Sequence, residues 1–115
     1  MFVHQLENEF IDRGFSFSQE HDSDEAIISY FRTYPNDFEL KITFEIGSIT
    51  SVYVSLLQSK RLLSNIILEG IEDILFQSWN GERTICFADV QGKVDLRVHY
   101  EPQASIYLSS LSSGC

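Results

Sequence analysis

Basic residues are scarce in this chain: eight Lys and Arg stand against seventeen Asp and Glu, a formal net charge of −9 over 115 residues. Phosphate backbones are held by clustered Lys and Arg, so the shortage argues against a nucleic-acid partner. It argues equally against docking on anionic lipid. Cysteine is limited to Cys86 and Cys115, too few for a disulfide framework, and a terminal cysteine is ordinarily mobile. Reduced thiols are expected. No run approaches the roughly 18 apolar residues of a membrane span. Met1-Phe2-Val3-His4-Gln5-Leu6-Glu7 has neither a basic leader nor an apolar stretch of signal length, so a cytoplasmic location is expected. Repeats, low-complexity segments and linkers are missing too. The six glycines are all isolated, which leaves no phosphate-cradling loop, and Gly-x-Ser-x-Gly does not occur.

What is present excludes a disordered acidic tail. The chain is 43% hydrophobic and 13% aromatic, enough apolar surface to offset ordering entropy. Its length suits a single domain over 1–115, with a tail at 109–115 expected to fray.

The second half is rich in strand patterns. Ile74-Leu75-Phe76-Gln77-Ser78-Trp79 runs into Asn80-Gly81 and then Glu82-Arg83-Thr84-Ile85-Cys86-Phe87. Asn-Gly between alternating apolar segments signals a tight hairpin, because a type I′ turn needs positive φ at both central residues. A two-residue loop sets Trp79 against Glu82, Phe76 against Ile85 and Ile74 against Phe87. A second turn at Gln91-Gly92 pairs Phe87 with Leu96, Ile85 with Val98 and Arg83 with Tyr100. Both hairpins then send Ile74, Phe76, Ile85, Phe87, Leu96, Val98 and Tyr100 to one face, which a one-residue slip would scramble. Pro102 breaks the run, and Ser105-Ile106-Tyr107-Leu108 reads as a short edge strand.

In the middle, Phe38, Leu40, Ile42, Phe44 and Ile46 alternate without a fault. A three-residue loop including Ile49 pairs Phe44 with Val52, Ile42 with Val54 and Leu40 with Leu56. Residues 62–68 form a further strand ending near Gly70. In the first third, 3–13 fits a helix using Val3, Leu6, Phe10 and Ile11, closed at Gly14. Phe15-Ser16-Phe17-Ser18 fits a short strand, and Tyr34-Pro35-Asn36-Asp37 a turn. Residues 26–32 suit either a helix started at Ser23 or a strand. The expected class is α+β: mostly antiparallel sheet, a meander of hairpins, with one or two N-terminal helices.

Candidate chemistry is thin. Glu20-His21-Asp22-Ser23-Asp24-Glu25 invites a metal, but Ala26 and Ile27 stand where a calcium loop needs a ligand and its Gly, so a solvated acidic loop is the plainer reading. His4, His21 and His99 lack zinc spacing. The assumed registers set Cys86 opposite Arg97 with His99 diagonal, beside Thr84, Glu82 and Asp95. That spacing allows a nucleophile–base pair but supplies no oxyanion hole, and the pattern places Ile106 and Leu108 on the same face, covering part of it. No cofactor and no metal is expected. Trp79, beside its turn, suits cross-strand contact or a partner anchor.

Charge is unevenly placed along the chain. Glu7, Glu9, Asp12, Glu20, Asp22, Asp24 and Glu25 face one base, Arg13, within the first 25 residues, so −6 of the net −9 resides there. A concentrated negative region raises association rates with a basic surface.

This acidic first quarter, the strand run 38–46, and Trp79-Asn80-Gly81-Glu82 leading into further strands resemble the small acidic immunity proteins of bacterial toxin systems. These include the immunity proteins of contact-dependent growth inhibition. The similarity is one of organisation over most of the chain. It implies a non-enzymatic inhibitor that binds a cognate toxin, often a basic nuclease, and it implies that the toxin gene lies immediately upstream. Carboxylates would stand in for nucleic-acid phosphate, with Tyr30, Tyr34 or Trp79 as anchors and Glu82 beside them. A small β-rich ligand-binding or assembly subunit, with charge serving solubility, is the alternative, and a small Cys86–His99 hydrolase a third reading.

Overall fold

The computed structural model describes residues 6–89 and 95–109. Among these lie one helix, α1 (Glu7–Asp12), and the strands β1 (Ser16–Phe17), β2 (Ile27–Tyr34), β3 (Phe38–Glu45), β4 (Ser51–Gln58), β5 (Arg61–Glu69), β6 (Ile71–Trp79), β7 (Glu82–Asp89), β8 (Asp95–Glu101) and β9 (Ser105–Ser109). They make two antiparallel sheets, ordered β1-β2-β3-β4-β5 and β6-β7-β8-β9, each strand bonded to its sequence neighbour.

The expected hairpins form. Trp79 faces Glu82, Phe76 faces Ile85 and Ile74 faces Phe87. The turn puts Asn80 and Gly81 at φ of 51° and 81°, the region that Asn-Gly tolerates and most side chains do not. Phe44–Val52, Ile42–Val54 and Leu40–Leu56 pair as the alternation requires. Phe87–Leu96 and Ile85–Val98 pair too, but Arg83 meets Glu101 rather than Tyr100, because the register shifts between Arg83 and Thr84. The shift still leaves Tyr100 in the core. Ile106 and Leu108 pair with Val98 and Leu96 and so share the core-side face, not the outer face expected for them. The Gln91-Gly92 turn and the tail beyond residue 109 lie outside the described residues.

The ambiguous segment 26–32 belongs to strand β2. Ser23–Glu25 makes a single 3-10 turn rather than a helix start, and β2 then pairs with β3 along its whole length. Its β-branched and aromatic side chains suit a pleated surface better than a helix. Of the helix expected over 3–13, the described residues are α-helical over Glu7–Asp12. Val3 lies outside the described residues, and Ile11 is 41% exposed instead of buried.

Both sheets turn apolar faces inward on a shared core. Leu40, Ile42, Phe44, Val52 and Val54 come from one sheet, and Ile85, Phe87, Leu96, Val98 and Tyr100 from the other. Phe44 and Phe87 meet across the gap at 5.8 Å between centroids. A six-residue helix has no stability of its own; α1 is held by Phe10, which is wholly buried. Its ring stacks on Tyr30 at 4.3 Å and meets Phe44 at 5.8 Å and Phe76 at 5.3 Å, touching both sheets. Tyr34 adds a polar tie, its hydroxyl donating to the Tyr100 carbonyl at 2.7 Å.

Candidate interaction surface

In a meander every strand reverses, so the ends of β3, β5 and β7 lie with the starts of β2, β4, β6 and β8. Carboxylates collect at this end. Asp22, Asp24 and Glu25 precede β2, Glu45 closes β3, Glu69 closes β5, and Glu72 and Asp73 open β6; all seven are exposed.

Local bonding holds the end together. The Asp22 carboxylate accepts from the Asp24 and Glu25 amides at 3.1 and 3.4 Å. Asp22 and Ile27 exchange backbone bonds at 2.8 and 2.9 Å, and the Ile46 amide donates to the Ala26 carbonyl at 2.9 Å. This secures the 22–25 turn beside Glu45, which pairs with Ile27. The chain passes from one sheet to the other through a single residue, Gly70, whose φ of +73° is a conformation side-chain-bearing residues rarely adopt. The Gly70 and Ile71 amides both donate to the Thr50 carbonyl, at 2.9 and 3.0 Å. That crossing sets Glu72 and Asp73 next to Glu69. Among the described residues no Lys or Arg forms an ion pair with any of the seven.

The opposite end is different in kind. Lys60 lies 3.8 Å from Glu39, and Glu101 takes Arg32 at 3.2 Å and Arg83 at 3.7 Å. Trp79 is 75% exposed at its hairpin tip, and Glu82 across the turn lies 3.8 Å from His99 Nδ1.

The acidic first quarter is thus divided. Glu7, Glu9 and Asp12 lie exposed on α1, with Glu9 bonded to Arg13 at 2.7 Å. Glu20 pairs with Lys41 at 2.7 Å; the hydrogen bond from Lys41 lowers its pKa against the opposing effect of burial, aided by Ser18. Only Asp22, Asp24 and Glu25 join the acidic end. Glu45, Glu69, Glu72 and Asp73 escaped the sequence reading, although the hairpin registers could have found them, since strand termini at alternate turns must coincide.

Two proposed roles are corrected. Tyr30 is no surface anchor: it is fully buried under Phe10, and burial with the nearby Glu7 charge pushes its pKa up to about 12. Tyr34 is half-buried, and burial raises its pKa to about 12. Cys86 faces Arg97 as expected, yet it is 1% exposed and is not a free thiol. This removes the nucleophile of the hydrolase reading and corrects the expectation of a reduced thiol; Cys115 lies outside the described residues. Among the described residues no three His, Cys, Asp or Glu side chains gather as a metal site, and no helix is long and apolar enough to cross a membrane.

The fold has a solved counterpart. It is similar to a chain of the contact-dependent growth inhibition toxin–immunity protein complex from Klebsiella pneumoniae 342, with a TM-score of 0.67, 93% of this chain and 90% of that chain covered, and 12% identity. The resemblance drawn from sequence organisation therefore reappears in the fold. No family model and no curated protein sequence matches the chain.

Proposed function

We propose that this chain is a non-enzymatic immunity protein that binds and neutralises a cognate toxin with a basic surface, acting in the cytoplasm of the cell that makes it. The observation that carries the reading is the acidic end, seven exposed carboxylates with no ion-pairing base among the described residues. Such crowding works against the compact state. It becomes useful when a basic partner meets it, by raising the association rate and discouraging wrong partners. A nuclease toxin suits this charge best, because its Lys and Arg are arranged for phosphate and carboxylates can occupy the same positions. The fold shared with a chain of a toxin–immunity complex supports the assignment. With Cys86 buried, no catalysis is asked of the chain.

Co-expression with the polypeptide encoded immediately upstream tests this. Growth should be restored in cells that the upstream polypeptide otherwise arrests, and the two should co-purify. An upstream product that is harmless, or that arrests growth equally with and without this chain, would overturn the assignment.

A further inference from the structure

The edge of β2 away from β3 is closed by several partners in turn. β1 pairs with Tyr30 and Phe31, and Asp22 exchanges backbone bonds with Ile27 at 2.8 and 2.9 Å. Between them lies Ser29. Its neighbours Ile28 and Tyr30 belong to the core, so its side chain points the other way, yet Ser29 is wholly buried. Its carbonyl accepts from the Ser18 amide at 2.9 Å, and its hydroxyl lies 2.6 Å from that of Ser18 and 2.7 Å from that of Thr43. The chain then swings off the edge in a turn, the His21 amide donating to the Ser18 carbonyl at 3.1 Å. The Ser29 amide is received by a side chain instead of a backbone carbonyl: His21 Nδ1 accepts it at 3.2 Å. The ring is steadied by Phe17, 4.2 Å away between centroids.

An imidazole nitrogen accepts a hydrogen bond only while it is unprotonated, and imidazolium is a donor at both positions. Imidazole is also the side chain whose charge ordinarily changes between pH 5 and 8. We propose that His21 is a pH-sensitive pin for the acidic turn. Neutral, it hooks residues 18–22 onto β2 and keeps the 22–25 turn against the strand. Protonated, it sets a second donor against the Ser29 amide, and the pin lets go. The charged groups around it are Glu20 and Asp22 on its own segment, Asp24 and Glu25 in the turn that follows, and Glu39, Lys41 and Glu45 on the outer face of β3. β1 and the outer face of β2 carry none, and Arg32 turns inward to the Arg13 carbonyl and Glu101. Lys41 is engaged by Glu20 at 2.7 Å, and His21 forms no ion pair among the described residues. Acid therefore frees the turn and also sets a positive charge among its carboxylates. On the inhibitor reading, both changes weaken the hold on a basic partner.

The test is hydrogen exchange of the Ser29 amide in the full chain, followed by NMR at about pH 8 and about pH 5, the two sides of the imidazole range, and corrected for the intrinsic pH dependence of exchange. Protection should fall about tenfold in acid, the size of one lost hydrogen bond, while the amides of β3 stay protected. His21→Ala should lose the protection at both pH values. His21→Asn offers a carbonyl acceptor that does not titrate and should remove the pH dependence. Equal protection of the unaltered chain at the two pH values overturns the proposal, as does His21→Ala that keeps Ser29 protected. An acid loss that persists in His21→Asn, or that spreads to β3, overturns it too. No partner enters the measurement, so its failure would leave the inhibitor reading standing.

Discussion

The two ends of this sandwich carry charge in opposite ways. At the end where β2, β4 and β6 begin, seven carboxylates face solvent without an ion-pairing base among the described residues. At the other, Glu39 and Glu101 each hold a base, and Glu101 holds two. Carboxylates of the second kind serve the fold by fixing strand termini and satisfying Arg32. Those of the first kind repel one another, so their presence is better explained by what they meet. Net charge alone does not separate these roles; position in the register does.

The comparison requires that both ends ride on one body. Phe10 is the residue that joins the two sheets at the helix, and Phe10→Ala should cost about 3–5 kcal/mol in urea unfolding, with fluorescence and circular dichroism falling in one transition. Two separate transitions would break the comparison at its base. A smaller effect separates the ends directly. Glu101→Gln weakens the hold on half-buried Arg32 and should cost about 1–2 kcal/mol, whereas Glu45→Gln should leave stability unchanged or raise it by a few tenths, roughly the size of a surface charge interaction. Equal losses in the two variants would remove the distinction.

Tyr34 gives an effect of similar or smaller size at the paired end. Tyr34→Phe removes the bond to the Tyr100 carbonyl, worth about 1 kcal/mol. Burial raises the Tyr34 pKa from 10.0 to about 12 in the fold. The unfolded chain therefore releases this proton first, and stability should fall as pH rises from 10 towards 12. Urea unfolding across that window should show a shallower fall in Tyr34→Phe. The smallest effect belongs to the acidic end. Added salt should raise the melting temperature by screening its repulsion, and Glu45→Gln should reduce that rise.

Much of this was legible in the residues. Phe38 to Ile46 alternates so strictly that its register with β4 follows from pattern and loop length alone, and Asn80-Gly81 does the same for β6 and β7. Residues 26–32 were not legible, because apolar neighbours at 27, 28 and 31 satisfy a helical face and a strand equally well; pairing with β3, a long-range contact, decides it. The shift between Arg83 and Thr84 leaves no local sequence mark. Acidic content along the chain pointed to residues 1–25, yet Glu20 is spent on Lys41 and Glu9 on Arg13. Spatial charge is assembled from strand termini far apart in sequence, so a count along the chain finds less than half of the acidic end.

The most direct test of the proposed role is the affinity of the chain for the polypeptide encoded immediately upstream, measured by calorimetry with paired variants at low and high salt. Asp24→Asn, Glu25→Gln, Glu45→Gln and Glu72→Gln together should weaken binding about a hundredfold, mostly through slower association, and should flatten its salt dependence. Glu82→Gln with Trp79→Ala, at the opposite end, should change it less than about threefold, within the range of rim contacts. Full affinity in the acidic-end variant, or a larger loss in the other, would contradict the proposal that the acidic end meets the partner.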